Sequence, residues 1–259
     1  MCAFRIGAAC VDMTPPAGLP LMGNYRVDYA ARGVHDPLCA KAFVFADHDD
    51  HRAAVLSLDL CMIDRHVVAA MRRQIAAACT IPAENILIAA THTHAGPMPY
   101  NRARLGVEFE PYRAAAETML QKACSAVVMA EESLIESTLS FGTARESQIA
   151  FNRRLRRKDG GTQMNWKSLS AGFLADEIEA SWGPIDPQLS CLVAERDARP
   201  VGACVNFALH PAILAGDNWL YSADYPGSLA RRVTEYFGPD FISAFLNGCC
   251  GNVNHVDYR

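Results

Sequence analysis

The sequence predicts an α/β fold: a layered mixed sheet with flanking helices and long loops at the functional site. Short apolar or alternating runs that end in polar or glycine punctuation recur along the 259 residues, and segments with apolar residues at three-to-four spacing interleave with them. That alternation is the mark of a layered α/β domain. At 51% hydrophobic and 20% charged residues, the chain holds ample material for one buried core and reads as an ordinary globular protein.

Taken in order, the expected strands are Phe4 to Val11, Ala42 to Ala46, Ala53 to Leu58, Asn85 to Ala90, Ser137 to Gly142, Leu189 to Glu195, Val201 to Ala208 and Phe241 to Leu246. Their period of two, or their short unbroken apolar character, suits half-buried or central strands. Helices are expected over His66 to Cys79, Tyr112 to Glu131 and Tyr225 to Phe237. Thr14 to Asp36, Pro97 to Glu110 and Arg154 to Pro187 read as irregular, and long loops of this kind are usually lids or binding loops. A single domain, 1–259, is expected. Its last strand runs into Asn247-Gly248-Cys249-Cys250-Gly251-Asn252-Val253-Asn254-His255 only four residues before the end, so a domain that stops short is the expectation.

The formal net charge is -4, which gives no global basic field to draw nucleic acid. The run Arg153-Arg154-Leu155-Arg156-Arg157-Lys158 is the local exception and reads as a solvated face. Ten cysteines are scattered, many within apolar stretches such as Gly7-Ala8-Ala9-Cys10 and Ala203-Cys204-Val205, and read as buried thiols rather than a disulfide framework. Cys249-Cys250 lacks the spacing of a zinc knuckle. The first residues carry no secretory signal and no run reaches transmembrane length, so a cytoplasmic protein is expected. Nothing in the sequence sets an oligomeric state.

The segment Ala89-Ala90-Thr91-His92-Thr93-His94-Ala95-Gly96-Pro97 follows an apolar strand. Residues i and i+2 of a strand share a face, so His92 and His94 would project together where ligands usually bind in α/β folds. Metal ligation, acid/base work and structural packing all fit the doublet alone. Val205-Asn206-Phe207-Ala208-Leu209-His210-Pro211 repeats the pattern of strand, histidine and proline. If the two strands are parallel neighbours, His92 and His210 come within reach of one zinc ion. Asp59, Asp224 and His255 are candidates to complete the set. Asp59 reads equally as a buried hydrogen-bonding carboxylate, Asp224 as a helix cap ahead of Pro226, and His255 as a surface residue. A binuclear site built on His92, His94 and Asp59 is a further arrangement.

Read together, these segments resemble the N-terminal catalytic region of the neutral/alkaline, non-lysosomal ceramidase family. The likeness is carried by Gly7-Ala8-Ala9-Cys10-Val11-Asp12-Met13-Thr14-Pro15-Pro16, Gly33-Val34-His35-Asp36-Pro37-Leu38-Cys39-Ala40-Lys41-Ala42, Leu56-Ser57-Leu58-Asp59, the His92/His94 segment, Phe151-Asn152-Arg153, Phe207-Ala208-Leu209-His210-Pro211, Ser222-Ala223-Asp224-Tyr225-Pro226-Gly227 and Gly248-Cys249-Cys250-Gly251-Asn252-Val253-Asn254. The resemblance implies Zn2+ held by His92 and His210, with His94 and Arg153 acting on the carbonyl. It implies hydrolysis of a non-peptide amide, either small or lipid-like as in sphingolipids, by metal-activated water. Asn254 and His255 are further catalytic candidates, Asn152, Asp224 and Tyr225 substrate-binding candidates, and Asp59 a third metal candidate. Two departures stand out. The family's glutamate and tyrosine zinc ligands have no counterpart in this stretch, which leaves a truncated, silent relative that binds a ligand or partner as the rival expectation. In place of the family's Gly-Asp-Val-Ser-Pro loop stands Gly251-Asn252-Val253-Asn254-His255, similar to short bacterial relatives with a Gly-Asp/Asn-x-Asn-His loop.

Overall fold

A computed structural model of the chain describes residues 4–24, 29–100, 110–214 and 216–259. The apolar runs become eight strands of one sheet: β1 (Phe4–Asp12), β2 (Cys39–Ala46), β3 (Arg52–Leu58), β4 (Ile86–Ala90), β5 (Ile135–Arg145), β6 (Gln188–Arg196), β7 (Arg199–Phe207) and β8 (Ile242–Asn247). Their order is β8-β7-β6-β5-β1-β2-β3-β4. Only the outer pairs β7–β8 and β3–β4 are parallel, and every pairing between them is antiparallel. The fold is therefore the layered, mixed α/β architecture expected from the sequence.

Helices α1 (Arg65–Ala78) and α2 (Arg113–Glu132) cover one half of this sheet. Their buried residues, among them Ile75, Met119, Ala123 and Val127, pack on Val44, Leu56 and Leu58. Close approach here depends on one glycine: a Cβ on Gly7 of β1 would sit 1.8 Å from the Ala130 carbonyl oxygen of α2. Helix α3 (Asp224–Phe237) packs Leu229 and Val233 against Val205, Phe207 and Phe245 at the other end. A third cluster, Ile6, Phe43, Cys204 and Ala244, draws on β1, β2, β7 and β8, which lie far apart in the strand order.

That cluster is the sign of a curled sheet, since twist accumulates across eight strands until its ends approach. The Ser57 hydroxyl of β3 donates to the Phe245 carbonyl of β8 at 2.6 Å, and the Asn247 amide donates to the Thr91 carbonyl at 3.0 Å. The edge strand β8 is thereby tied to β3 and to the end of β4.

The stretch Arg154 to Pro187 differs from the irregular loop expected. It forms a three-stranded sheet from Arg154–Arg157, Thr162–Met164 and Ile178–Ser181. The only apolar residue on the first of these strands is the buried Leu155, so hydropathy did not mark it as a strand. Arg154 and Arg156 lie over the Trp182 ring at 5.7 and 5.9 Å, and Arg157 pairs with Glu177 at 2.9 Å. From Arg154 on, the arginines of the basic run thus lie on a largely solvated strand face, whereas Arg153 precedes the strand and lines a pocket. Most of Pro97 to Glu110 lies outside the described residues. Cys124, Cys204 and Cys250 are buried as expected, whereas Cys10 and Cys249 are exposed. Among the described residues no helix is long and apolar enough to cross a membrane.

Candidate functional site

Where β4 ends, the chain turns sharply. His92 takes a left-handed backbone with φ 74°, which costs a non-glycine residue energy and is held by neighbours on both sides. Its N–H donates to the Leu60 carbonyl at 2.9 Å, and Nδ1 lies 2.6 Å from the Cys61 carbonyl oxygen. After β7 the His210 ring is fixed in the same manner, with Nδ1 3.1 Å from the Cys250 carbonyl. The two segments are joined directly, because the His94 N–H donates to the Pro211 carbonyl at 2.9 Å.

Three imidazoles consequently meet. His92 Nε2 lies 3.1 Å from His210 Nε2, and His210 Nε2 lies 3.0 Å from His94 Nε2. The rings stand edge to face, with centroids 4.6 to 5.1 Å apart. The sequence pattern suggests neighbouring parallel strands for His92 and His210. In fact β4 and β7 are separated by five strands in the sheet, and only its curl unites their ends.

Protonation follows from the partners. A carbonyl oxygen can only accept, so Nδ1 of both His92 and His210 must carry a proton, and in the neutral rings the Nε2 lone pairs face each other. Burial pushes His210 below the ordinary histidine range, and proximity to His92 and Arg153 adds to this, which favours the neutral form. Two lone pairs at 3.1 Å call for a cation or a shared proton between them. The donor set fits zinc: two imidazole nitrogens, each ring oriented by a backbone carbonyl on its far side.

The rings open into a pocket of about 330 Å3 lined by Met22, Gly23, Asn24, Tyr29, Cys61, Met62 and Arg153 besides the histidines. Arg153 follows the two-residue strand Phe151–Asn152, its N–H bonded to the Asn252 carbonyl at 2.8 Å and its guanidinium 5.6 Å from the Trp166 ring centre. Gly23 lies flat against His94, with φ 110° and room for no side chain: a Cβ would be 2.5 Å from Cγ of the ring.

Six other candidates lie elsewhere. Asp59 is not beside the histidines. Its Oδ2 accepts from Lys41 Nζ at 3.0 Å and from the Cys39 N–H at 2.9 Å, in the core. Asn152 donates to the Gly183 carbonyl and accepts from the Arg154 N–H, which holds a loop rather than the pocket. Asn254 forms a reciprocal amide pair with Asn165, at 2.6 and 2.8 Å, so both faces of its side chain are committed. Asp224 has φ 58° and accepts from the Leu214 and Tyr225 N–H groups. It is not the helix cap expected. Ser222 Oγ accepts from the Asp224 N–H and Asp36 from the Ala223 N–H, so those two side chains hold the start of α3. Tyr225 donates to the Leu209 carbonyl at 2.8 Å beneath the His210 segment. His255 is half-buried near Asp224, and burial lowers its pKa.

Sequence reasoning missed Cys61 and Cys250, whose carbonyls orient the rings, along with Gly23, Met22 and Met62. Backbone acceptors leave no trace in residue identity. Both thiols lie within 4.8 Å of histidine ligand atoms, but Cys61 Sγ is 3.9 Å from Nδ1 of His92, the nitrogen already engaged by its carbonyl.

Residues 4–255 match the family described as neutral/alkaline non-lysosomal ceramidase, N-terminal. The chain is 25% identical to neutral ceramidase 2 of Arabidopsis thaliana over 91% of its own length and 30% of that protein. It is 26% identical to the neutral ceramidase of Mycobacterium tuberculosis over 97% of its length and 40% of the relative. The crystal structure of neutral ceramidase from Pseudomonas aeruginosa superposes with a TM-score of 0.79 at 22% identity, covering 98% of this chain and 40% of that one. The chain therefore spans 30–40% of the length of these relatives.

Proposed function

The chain belongs to the neutral/alkaline non-lysosomal ceramidase family, and on that premise we propose that it carries the metal-binding and carbonyl-handling part of an enzyme hydrolysing the amide bond of a ceramide-like or smaller N-acyl substrate. The observation behind this reading is the meeting of His92, His94 and His210 at the mouth of a pocket that also holds Arg153. Zn2+ held by Nε2 of His92 and His210 would supply Lewis acidity toward the acyl oxygen and a lowered pKa for its water.

The remaining work falls to the chain itself. Nδ1–H of His92 and of His210, each on a carbonyl, fix both rings so that their Nε2 lone pairs point inward. His94 Nε2, 3.0 Å from His210 Nε2, is the group nearest to accept a proton from the attacking water and return it to the leaving amine. Arg153, braced on Trp166, offers N–H donors and positive charge to the oxygen that becomes negative in the tetrahedral intermediate. Met22 and Met62 form an apolar, adaptable wall for the acyl chain. An intact cluster of three imidazoles favours hydrolysis over a silent ligand-binding role.

Metal analysis tests the reading. Wild-type protein equilibrated with micromolar zinc should carry it stoichiometrically, and H92A and H210A should each lose it together with hydrolysis of N-acyl amides. A wild type that takes up no zinc sinks the proposal.

A further inference from the structure

Among the described residues that line the histidine pocket, Arg153 is the only one with a permanent charge, and no aspartate or glutamate stands with it. Its main chain is pinned on both sides: the N–H donates to the Asn252 carbonyl and the carbonyl accepts from the Asn165 N–H, each at 2.8 Å. The guanidinium lies over the Trp166 ring at 5.6 Å, a contact with a ring face rather than with an acceptor. Among the described residues no carboxylate or carbonyl receives its N–H donors. On the strand that follows, Arg156 pairs with Glu179 and Arg157 with Glu177, while Arg154 is exposed to water. Arg153 is half-buried and has neither a counter-ion nor full hydration, a state that calls for an anion.

From this geometry we infer that the pocket takes an amide whose molecule also carries a carboxylate a few bonds from the scissile bond, as an N-acyl amino acid does, and that Arg153 receives that carboxylate. The inference rests on the proposed hydrolase reading and names its substrate class. A planar guanidinium matches a carboxylate with two parallel N–H donors, and its five donors leave others for the acyl oxygen as that oxygen becomes negative. At about 330 Å3 the pocket lies at the lower end of small-molecule sites, roughly 300–1,000 Å3. It has room for a short acyl group against Met22 and Met62 and for a compact polar end beside Asn24 and Tyr29, but not for two long alkyl chains. In the hydrolysis, water oxygen joins the acyl carbon, the C–N bond breaks and the amine takes up the proton. The substrate's own carboxylate stays intact and serves only to hold the molecule.

Calorimetric binding on the full chain tests this, once with zinc and once with a chelator, because a bound metal also attracts carboxylates. N-hexanoylglycine carries the carboxylate on the amine side of the amide, N-hexylsuccinamic acid carries it on the acyl side, and N-hexanoylethanolamine is neutral. At least one acidic amide should bind at least ~10-fold tighter than the neutral one in both conditions, and R153M should shrink that ratio to within ~2-fold, with R153K retaining part of it. Whichever acidic amide wins tells which side of the bond the carboxylate belongs on. Equal binding of all three by the wild type overturns the inference, as does a preference that appears only with zinc or survives in R153M. The wild-type comparison can overturn it even if R153M misfolds. Turnover of the same compounds separates the two readings: selective binding of an acidic amide without its hydrolysis upholds the carboxylate site and removes the hydrolase, whereas hydrolysis with no acidic preference does the reverse.

Discussion

Gly23 shows how a residue with no side chain shapes the chemistry beside it. With φ 110° and the His94 ring where a Cβ would stand, G23A must push that ring aside. Because His94 is not one of the two proposed metal-binding rings, G23A should keep its zinc, yet lose at least ~10²-fold in kcat on an N-acyl amide, as expected for a misplaced proton-handling group. Metal content and steady-state kinetics on one preparation check this. Asp59 was legible as a carboxylate at a strand end but not as the partner of Lys41, since a sequence does not reveal which buried charge meets which. Asp59 and Lys41 are both buried, and the carboxylate holds the ammonium above its usual range even though burial alone would lower it. D59N should cost about 3–5 kcal/mol by leaving that ammonium unpaired, and adding K41M should recover much of the loss, as read from denaturant midpoints.

Among the elements, the strands and helices of the main layers were legible because each has a clean apolar period. The small sheet of residues 154–187 was not, because a strand that alternates arginine with one leucine looks like a charged loop. Helix α3 was legible in extent but not in its capping. Its first turn contains Asp224, a natural cap residue, yet the first N–H groups are met by Ser222 and by Asp36, which lies 187 residues before Ala223. Ser222 bridges the two: its hydroxyl donates to the Asp36 carboxylate while its oxygen receives the Asp224 N–H. S222A should therefore lower thermal stability by about 1 kcal/mol, in the range of a lost cap, without altering zinc content.

For the whole molecule, the hardest feature to foresee was the curl of the sheet. Strand order is fixed by pairings between distant segments, and nothing local in β4 or β7 says that five strands intervene between them. The histidines were thus identifiable by type and strand position, while the path that unites them was not. That path has a thermodynamic consequence. His92 and His210 are 118 residues apart in sequence and 3.1 Å apart at Nε2, so an ion bound by both cross-links the chain across a long loop. A ligand that binds the folded chain and not the unfolded one adds RT ln(1 + [L]/Kd) to stability, about 2.7 kcal/mol at one hundred times Kd. The melting temperature should then climb with free zinc, fall when a chelator is added, and become insensitive to both in H92A, which calorimetry can follow. On this reading the ion is a fastener of the fold as well as a reagent, and the supply of metal in the surroundings decides how long the folded chain survives.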